Sequence, residues 1–258
     1  MSPETKPVLS VIIPAFNEEA TIAKVIREVL ALPNLLEIVV VDDCSTDRTF
    51  ELATQLASAN PAIKVMRHAK NGGKTEALKT GFAASRGEIV IVQDADLEYR
   101  PVEIPSVIEP ILDGIADVVF GSRFQVRRAA RVLYFYHYLA NKGLTFLSNL
   151  CTNLNLTDVE TGYKAFRGNI IRNMVINSKG FGFEIEVTAK VAKLACAIYE
   201  VPISYYGRTY DEGKKIGIRD GIAALWYIIE YNLLTSLKRS YRSVPVLSAP
   251  VKHSAAAR

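Results

Sequence analysis

The sequence predicts an α/β fold: a mostly parallel sheet flanked by helices, with a smaller, less regular second region and a C-terminal amphipathic helix. Short β-branched runs of strand length recur at residues 8–13, 37–41, 63–66, 88–92 and 117–120. The stretches between them have helical length and pattern, and such alternation builds right-handed βαβ units. Acidic residues cluster where several of these strands end, as they do at the carboxyl edge of an open sheet that binds ligands.

Residues 8–13 form a buried-type strand that Pro14 is expected to stop. Asn17 then caps a helix to about residue 30, which Pro33 and Asn34 break. The strand at 37–41 ends in Asp42 and Asp43, and Ser45, Thr46 and Asp47 supply caps for a helix to about residue 59. A shorter strand at 63–66 leads to Asn71-Gly72-Gly73-Lys74, which opens a helix carrying Leu78 and Phe82 and closing near Gly87. The strand at 88–92 empties into Gln93-Asp94-Ala95-Asp96-Leu97-Glu98. Beyond Pro101 a helix to about residue 113 precedes the strand at 117–120 and Gly121-Ser122-Arg123.

In the second half, Arg127, Arg128 and Arg131 precede an aromatic-rich helix over 132–150. Residues 162–166 read as strand, 183–194 as helix, and 198–206 as an edge strand, since Pro202 cannot donate to a central ladder. A last helix covers 218–237, and from residue 243 on Pro, Ser and Ala dominate, as in a disordered tail.

Composition narrows the function classes. A chain of 258 residues with 49% hydrophobic and 22% charged residues can bury a real core. The net charge of +4 suits anionic phosphate ligands or a membrane surface, but no Lys/Arg-dense arm or basic-aromatic platform points to nucleic acid. Cys44, Cys151 and Cys196 are odd in number and lack C-x-x-C spacing, which argues against a disulfide framework or zinc knuckle and for a reducing cytoplasm. The first seven residues lack a signal peptide's apolar core, and no run reaches the roughly 18 apolar residues of a membrane span. The expected setting is cytoplasmic, with peripheral contact to the membrane face open.

The chemistry concentrates at the strand ends. Asp94, Asp96 and Glu98 are hard oxygen ligands, suited to Mg²⁺ or Mn²⁺ that also takes water and substrate phosphates. Glu18, Asp42 and Asp43 end other strands of the same edge, where a carboxylate can accept from a nucleobase or ribose hydroxyl; helix capping is the other reading of Asp42 and Asp43. Arg123, Arg127, Arg128, Arg131, Arg208, Lys214 and Lys215 oppose them with charge suited to phosphate. Gly73-Lys74-Thr75 resembles the end of a P-loop, but His68 stands where its first glycine belongs; no G-x-G-x-x-G or G-x-S-x-G is present. His68, His137 and His253 lack ligand spacing. The helix at 131–150, with Tyr134, Tyr136, Tyr138 and its basic start, suits the headgroup region of a membrane, a core helix or a dimer face equally.

Four motifs in order, Val11-Ile12-Ile13-Pro14-Ala15-Phe16-Asn17-Glu18, Val41-Asp42-Asp43-Cys44-Ser45-Thr46-Asp47, Asp94-Ala95-Asp96-Leu97 and Gly121-Ser122-Arg123, resemble family 2 glycosyltransferases, and within them the dolichol-phosphate mannose synthase-like branch. The resemblance spans about 8–237 and implies one GT-A, Rossmann-like domain, with 8–123 as nucleotide-sugar half and 124–237 as acceptor half. It implies an inverting transfer of a hexose from a nucleotide-diphosphate sugar, GDP-mannose or UDP-glucose, to dolichyl or undecaprenyl phosphate at the membrane surface, with Mg²⁺ or Mn²⁺. A soluble hydroxyl acceptor is the alternative, and homo-oligomerisation stays open. By this resemblance Pro14, Phe16, Glu18, Val41 and Asp43, together with Lys74, Asp94 and Ala95, bind the nucleotide sugar. Asp94, Asp96 and Glu98 hold the metal, while Arg123, Arg208 and Lys214 face the phosphates; Arg131, read from the residues alone, is either a further catalytic cation for the phosphates or part of a solvated or lipid-facing face. A hydroxyl acceptor would require a base, for which Glu184 is the candidate; opening a helix is its other reading. Cys44 departs from the glycine usual at its position.

Overall fold

The computed structural model describes residues 6–125, 134–180, 182–207 and 218–247, without the side chains of 218–220 and 222. Arg127, Arg128, Arg131, Arg208, Lys214, Lys215 and most of the expected tail lie outside the described residues.

Seven strands form one mixed sheet: β1 (Leu9–Ala15), β2 (Leu35–Asp42), β3 (Ile63–Arg67), β4 (Ile89–Val92), β5 (Val118–Ser122), β6 (Lys164–Arg167) and β7 (Ile198–Pro202), in the order β3-β2-β1-β4-β6-β5-β7. All neighbours pair parallel except β6, which runs antiparallel to both β4 and β5. This single reversal matters for function. The start of β6, and the loop before it, arrive at the same edge as the ends of β1, β2, β4 and β5.

Pro14 does not stop β1, which runs on to Ala15 in register with Asp42. The amide of Gln93 donates to Ile12 O and that of Asp43 to Ala15 O, so even-numbered residues face β4 and odd-numbered ones β2. Pairing with β4 ends at Ile12, so the missing N–H of Pro14 faces a side with no strand left to bond. Nor does Asn17 cap the first helix: it sits at φ 54°, and helix α1 (Ile22–Leu30) starts after Thr21.

Helices α2 (Thr49–Ala59), α3 (Lys74–Ala84) and α4 (Ile104–Leu112, after a 3₁₀ turn at Pro101–Glu103) follow their strands as expected. The remaining helices are α5 (Phe135–Thr152), α6 (Gly168–Asn173), α7 (Phe183–Leu194), α8 (Ile218–Ile229) and α9 (Leu237–Ser240). The expected single helix at 218–237 instead passes through a π turn at Glu230–Leu234 and breaks at Thr235, whose hydroxyl donates to Glu230 O. The short α6 escaped prediction because its six residues hold too few turns for a periodic signal.

One face of the sheet packs Val11, Ile13, Ile38 and Val40 against α1, α2 and α4. The other packs Ile12, Val39, Val90 and Phe120 against α3, α6 and α7. Helix α7 is buried on every side, because α5 and α8 close over it as a further layer. Its polar residues are paired accordingly: Glu186 bonds Lys190 and accepts the amides of Asn177 and Ser178.

Candidate functional site

At the β2 end, Asp43 is buried and its carboxylate is filled from within. It accepts the amides of Gly72 (2.9 Å) and Gly73 (2.7 Å) and bonds His68 Nδ1 (2.7 Å), while Nε2 of His68 meets the Thr80 hydroxyl at 2.9 Å. Asn71 closes the loop by donating to Asp43 O. A carboxylate holding successive amides fixes that backbone. Gly73, at φ +85°, can turn there as a side-chain-bearing residue could not at little cost. On its far side the amide and hydroxyl of Thr75 donate to Gly180 O. The loop before α3 is thus clamped from two directions, and what it delivers is Lys74.

Lys74 reaches Asp94 Oδ1 at 2.9 Å and Glu184 Oε1 at 3.2 Å. Burial alone would lower its pKa, but Asp94 and Glu184 hold it charged, well above the ordinary lysine value. Gly162, just before β6, crosses so close that a Cβ there would lie 2.6 Å from Asp94 Oδ2 and 3.3 Å from Lys74 Nζ. Glycine is required by that approach.

The acidic turn itself is held by aromatic residues. Leu97 takes a left-handed φ of 62°, and Asp96 Oδ1 accepts the Glu98 amide. Glu98 Oε2 accepts from the Tyr205 hydroxyl at 3.0 Å. Tyr99 stacks on Tyr163 at 5.0 Å, and Tyr163 in turn bonds Gln93 and Arg100 O. Among the described residues no three His, Cys, Asp or Glu side chains form a group able to hold a metal ion. The expected Asp94–Asp96–Glu98 triad is therefore not gathered here, because Lys74 occupies Asp94 and Tyr205 occupies Glu98. The donor chemistry still fits Mg²⁺ or Mn²⁺, which are bound through one or two carboxylates with phosphate oxygens completing the shell.

Behind this turn lies a second charged layer. Arg123 is partly buried and forks onto Asp158, with both bonds at 2.7 Å, and lies 5.2 Å over the Tyr205 ring. Two of its guanidinium nitrogens are engaged by Asp158, which fixes its orientation in the site. Lys164 Nζ donates to Val159 O and Thr161 O, and burial brings its pKa down to about 8 despite the carboxylates around it. Burial, and after it the charge of Glu184, pushes the Glu160 carboxyl up to about 7.

Residues 10–174 match the family described as glycosyl transferase family 2. The chain belongs to that family. Over 215 residues, 81% of this chain and 59% of the relative, it is 34% identical to the dolichol-phosphate mannosyltransferase of Pyrococcus furiosus. Over 235 residues, 83% of this chain and 94% of the relative, it is 31% identical to the undecaprenyl-phosphate mannosyltransferase of Micrococcus luteus. The fold is shared with glucosyl-3-phosphoglycerate synthase of Mycobacterium tuberculosis, solved in complex with Mn²⁺ and UDP-glucose, at a TM-score of 0.67 and 23% identity over 87% of this chain and 79% of that one. The sheet and its flanking helices are a GT-A fold.

In this glycosyltransferase the residues singled out in the sequence fall into three groups. Lys74, Asp94 and Glu184 meet directly, with Asp96 and Glu98 on the same turn. Pro14, Phe16, Glu18 and Asp43 line the neighbouring β1–β2 end, where Glu18 is buried beside Thr21 and Thr49. Val41 and Ala95 are core residues: Val41 packs with α3, and Ala95 joins the opposite cluster, so their side chains serve packing. Arg131, Arg208 and Lys214 lie outside the described residues. Sequence reasoning missed Glu160, Gly162, Asp158 and Lys164, because only the antiparallel run of β6 brings their segment to this edge, with Gly162 against Asp94. It also took His68 for an ordinary residue.

Proposed function

We propose that this family 2 glycosyltransferase moves a hexose from a nucleotide-diphosphate sugar to a polyprenyl phosphate at a membrane surface, by direct displacement with inversion. The observation that carries this reading is the Lys74–Asp94–Glu184 cluster beside the Asp94–Glu98 turn, at the sheet edge of a chain similar over most of its length to enzymes named for polyprenyl-phosphate mannosyl transfer. GDP-mannose and UDP-glucose are the donors to be tried. We take residues 8–123 as the donor half of one domain and 124–237 as its acceptor half.

The displacement leaves negative charge on the departing diphosphate, and stabilisation at that point lowers the barrier. A bound Mg²⁺ or Mn²⁺ supplies Lewis-acid neutralisation there, with Asp94 and Asp96 as the residues that would hold it. Lys74, kept charged and fixed by the clamped loop, adds a cation without reorganisation. The Asp43–Gly72–Gly73 clamp sets the backbone against which the nucleotide lies. A phosphate monoester has a second pKa of about 6 and is largely ionised at neutral pH, so the acceptor requires positioning more than a base.

The helix α5 supports a membrane setting. Among the described residues no helix is long and apolar enough to cross a membrane. Yet Phe135, Tyr136, Leu139, Phe146 and Leu150 are all exposed, Tyr136 at 82% and Leu150 at 72%. The helix contains no acidic residue, and aromatic, acid-free faces suit the headgroup boundary.

The test is release of nucleoside diphosphate from a panel of GDP- and UDP-sugars with Mn²⁺, with and without undecaprenyl or dolichyl phosphate, beside Asp96→Ala. Release stimulated by the lipid phosphate and lost in Asp96→Ala supports the reading. Slow hydrolysis indifferent to the lipid phosphate would overturn the acceptor.

A further inference from the structure

Two carboxylate oxygens behind the Lys74 site are shielded from solvent and have no hydrogen-bond partner: Oε1 of Glu160 and Oε2 of Glu184. A buried acceptor left unmade costs about 1–3 kcal/mol, and more when charged. The other oxygen of Glu184 is taken, since Oε1 holds Lys74 and Lys74 reaches on to Asp94. Glu160 stands two residues before Gly162, on the segment pressed against Asp94.

The nearby cations are spent elsewhere. Arg123 forks onto Asp158, and Lys164 donates to the carbonyls of Val159 and Thr161 while lying over the Phe120 ring. Around Glu160, then, α7 contributes the charge of Glu184, the end of β5 that of Arg123, β6 that of Lys164, and its own segment that of Asp158. Burial and Glu184 outweigh the two cations and bring its carboxyl to about 7. A proton kept on Glu160 can be donated to the neighbouring carboxylate of Glu184, and would give both orphan oxygens a partner.

We propose that Glu160 is a positioning residue of the transfer site: its carboxyl keeps a proton and donates it to Oε2 of Glu184, so that Oε1 of Glu184 holds Lys74 against Asp94. The proposal rests on reading this edge as the donor-diphosphate site. With Glu160 neutral, less negative charge lies behind the Lys74 site to oppose an incoming diphosphate. Ionisation of Glu160 adds repulsion and removes the donor that orients Glu184.

The test compares wild type with Glu160→Gln, which keeps shape and a donor but cannot ionise, and with Glu160→Ala, which keeps neither. Affinity for GDP and UDP with Mn²⁺ is measured by calorimetry about 1 to 1.5 pH units below and above neutrality. Glu160→Gln is expected to match wild type at the lower pH and to bind several-fold more tightly at the higher one, and Glu160→Ala to bind about tenfold more weakly at the lower pH. A Gln variant as weak as Ala at the lower pH, or profiles of wild type and Gln that run parallel, would overturn the proposal.

Failure of the donor reading shows separately, as wild type binding neither nucleotide. The proton is then read from thermal stability of the ligand-free protein. A carboxyl raised from 4.5 to about 7 on folding leaves wild type and Gln alike below pH 4.5, makes wild type lose stability relative to Gln as pH rises between those values, and keeps the gap constant above. A gap that does not change with pH contradicts the shared proton.

Discussion

Lys74 holds its ammonium between Asp94 at 2.9 Å and Glu184 at 3.2 Å, and its removal strands two carboxylates. Lys74→Met is therefore expected to lower kcat/KM by about 100-fold, the scale of losing one preorganised donor to developing charge, with a folded circular-dichroism spectrum retained. A loss under about threefold would contradict its role. Cys44 makes a different prediction. It holds φ +65°, the conformation glycine adopts freely. The left-handed backbone costs a side-chain-bearing residue about 1–2 kcal/mol, and glycine's extra unfolded entropy returns about 0.5–1. Cys44→Gly should then stabilise the protein by about 0.5–1 kcal/mol in urea titration; destabilisation would mean that the Cys44 contact with Ala69 O matters more than the strain. At this scale the acidic turn and Lys74 were legible because they follow strand and glycine signals. Glu160 was not, since nothing local in Asp158-Val159-Glu160-Thr161-Gly162 says which way the next strand runs. Asp43 was legible as a site residue, yet its hydrogen bonds to Gly72 and Gly73 make it the anchor of a loop.

At the scale of elements, the alternating first half declared itself through β-branched runs and turn residues, and β1 to β5 stand within a few residues of expectation. In the second half the helix read at 183–194 and the strand read at 162–166 are present as α7 and β6, but their surroundings were hidden: α7 is buried all round although Glu184, Glu186 and Lys190 interrupt the apolar period that marks a core helix. The strand β6 is four residues long, too short to announce its direction. Helix α5 shows the converse: Phe135, Leu139, Phe146 and Leu150 recur at helical spacing but face solvent, while only Thr145 and Ser148 are buried. Helix α8 and the turn after it add exposed Trp226, Ile229 and Leu233. If α5 rests on lipid, Phe146→Asp with Leu150→Asp should reduce co-sedimentation with anionic vesicles about tenfold or more, since each lost contact removes apolar area and adds charge. Unchanged sedimentation would remove the membrane contact from the account while leaving the donor site untouched.

Across the whole molecule, one reversal in an otherwise parallel sheet sets the working edge. The ends of β1, β2, β4 and β5 and the start of β6 meet there, and the side chains they bring are held by their own partners: Asp43 by Gly72 and Gly73, Asp94 by Lys74, Glu98 by Tyr205, Arg123 by Asp158. On the proposed function, such a pre-held edge would take up a polyanionic donor with little rearrangement. If the sugar passes in one displacement to a lipid phosphate, its anomeric configuration inverts, and the product's configuration shows whether it does. Purified protein is incubated with an α-linked nucleotide sugar, Mn²⁺ and undecaprenyl phosphate, and the organic-phase product is analysed by NMR. A β-linked sugar phosphodiester in the lipid fraction is the predicted result; an α-linked product, or labelled sugar found only in the aqueous phase, would contradict it.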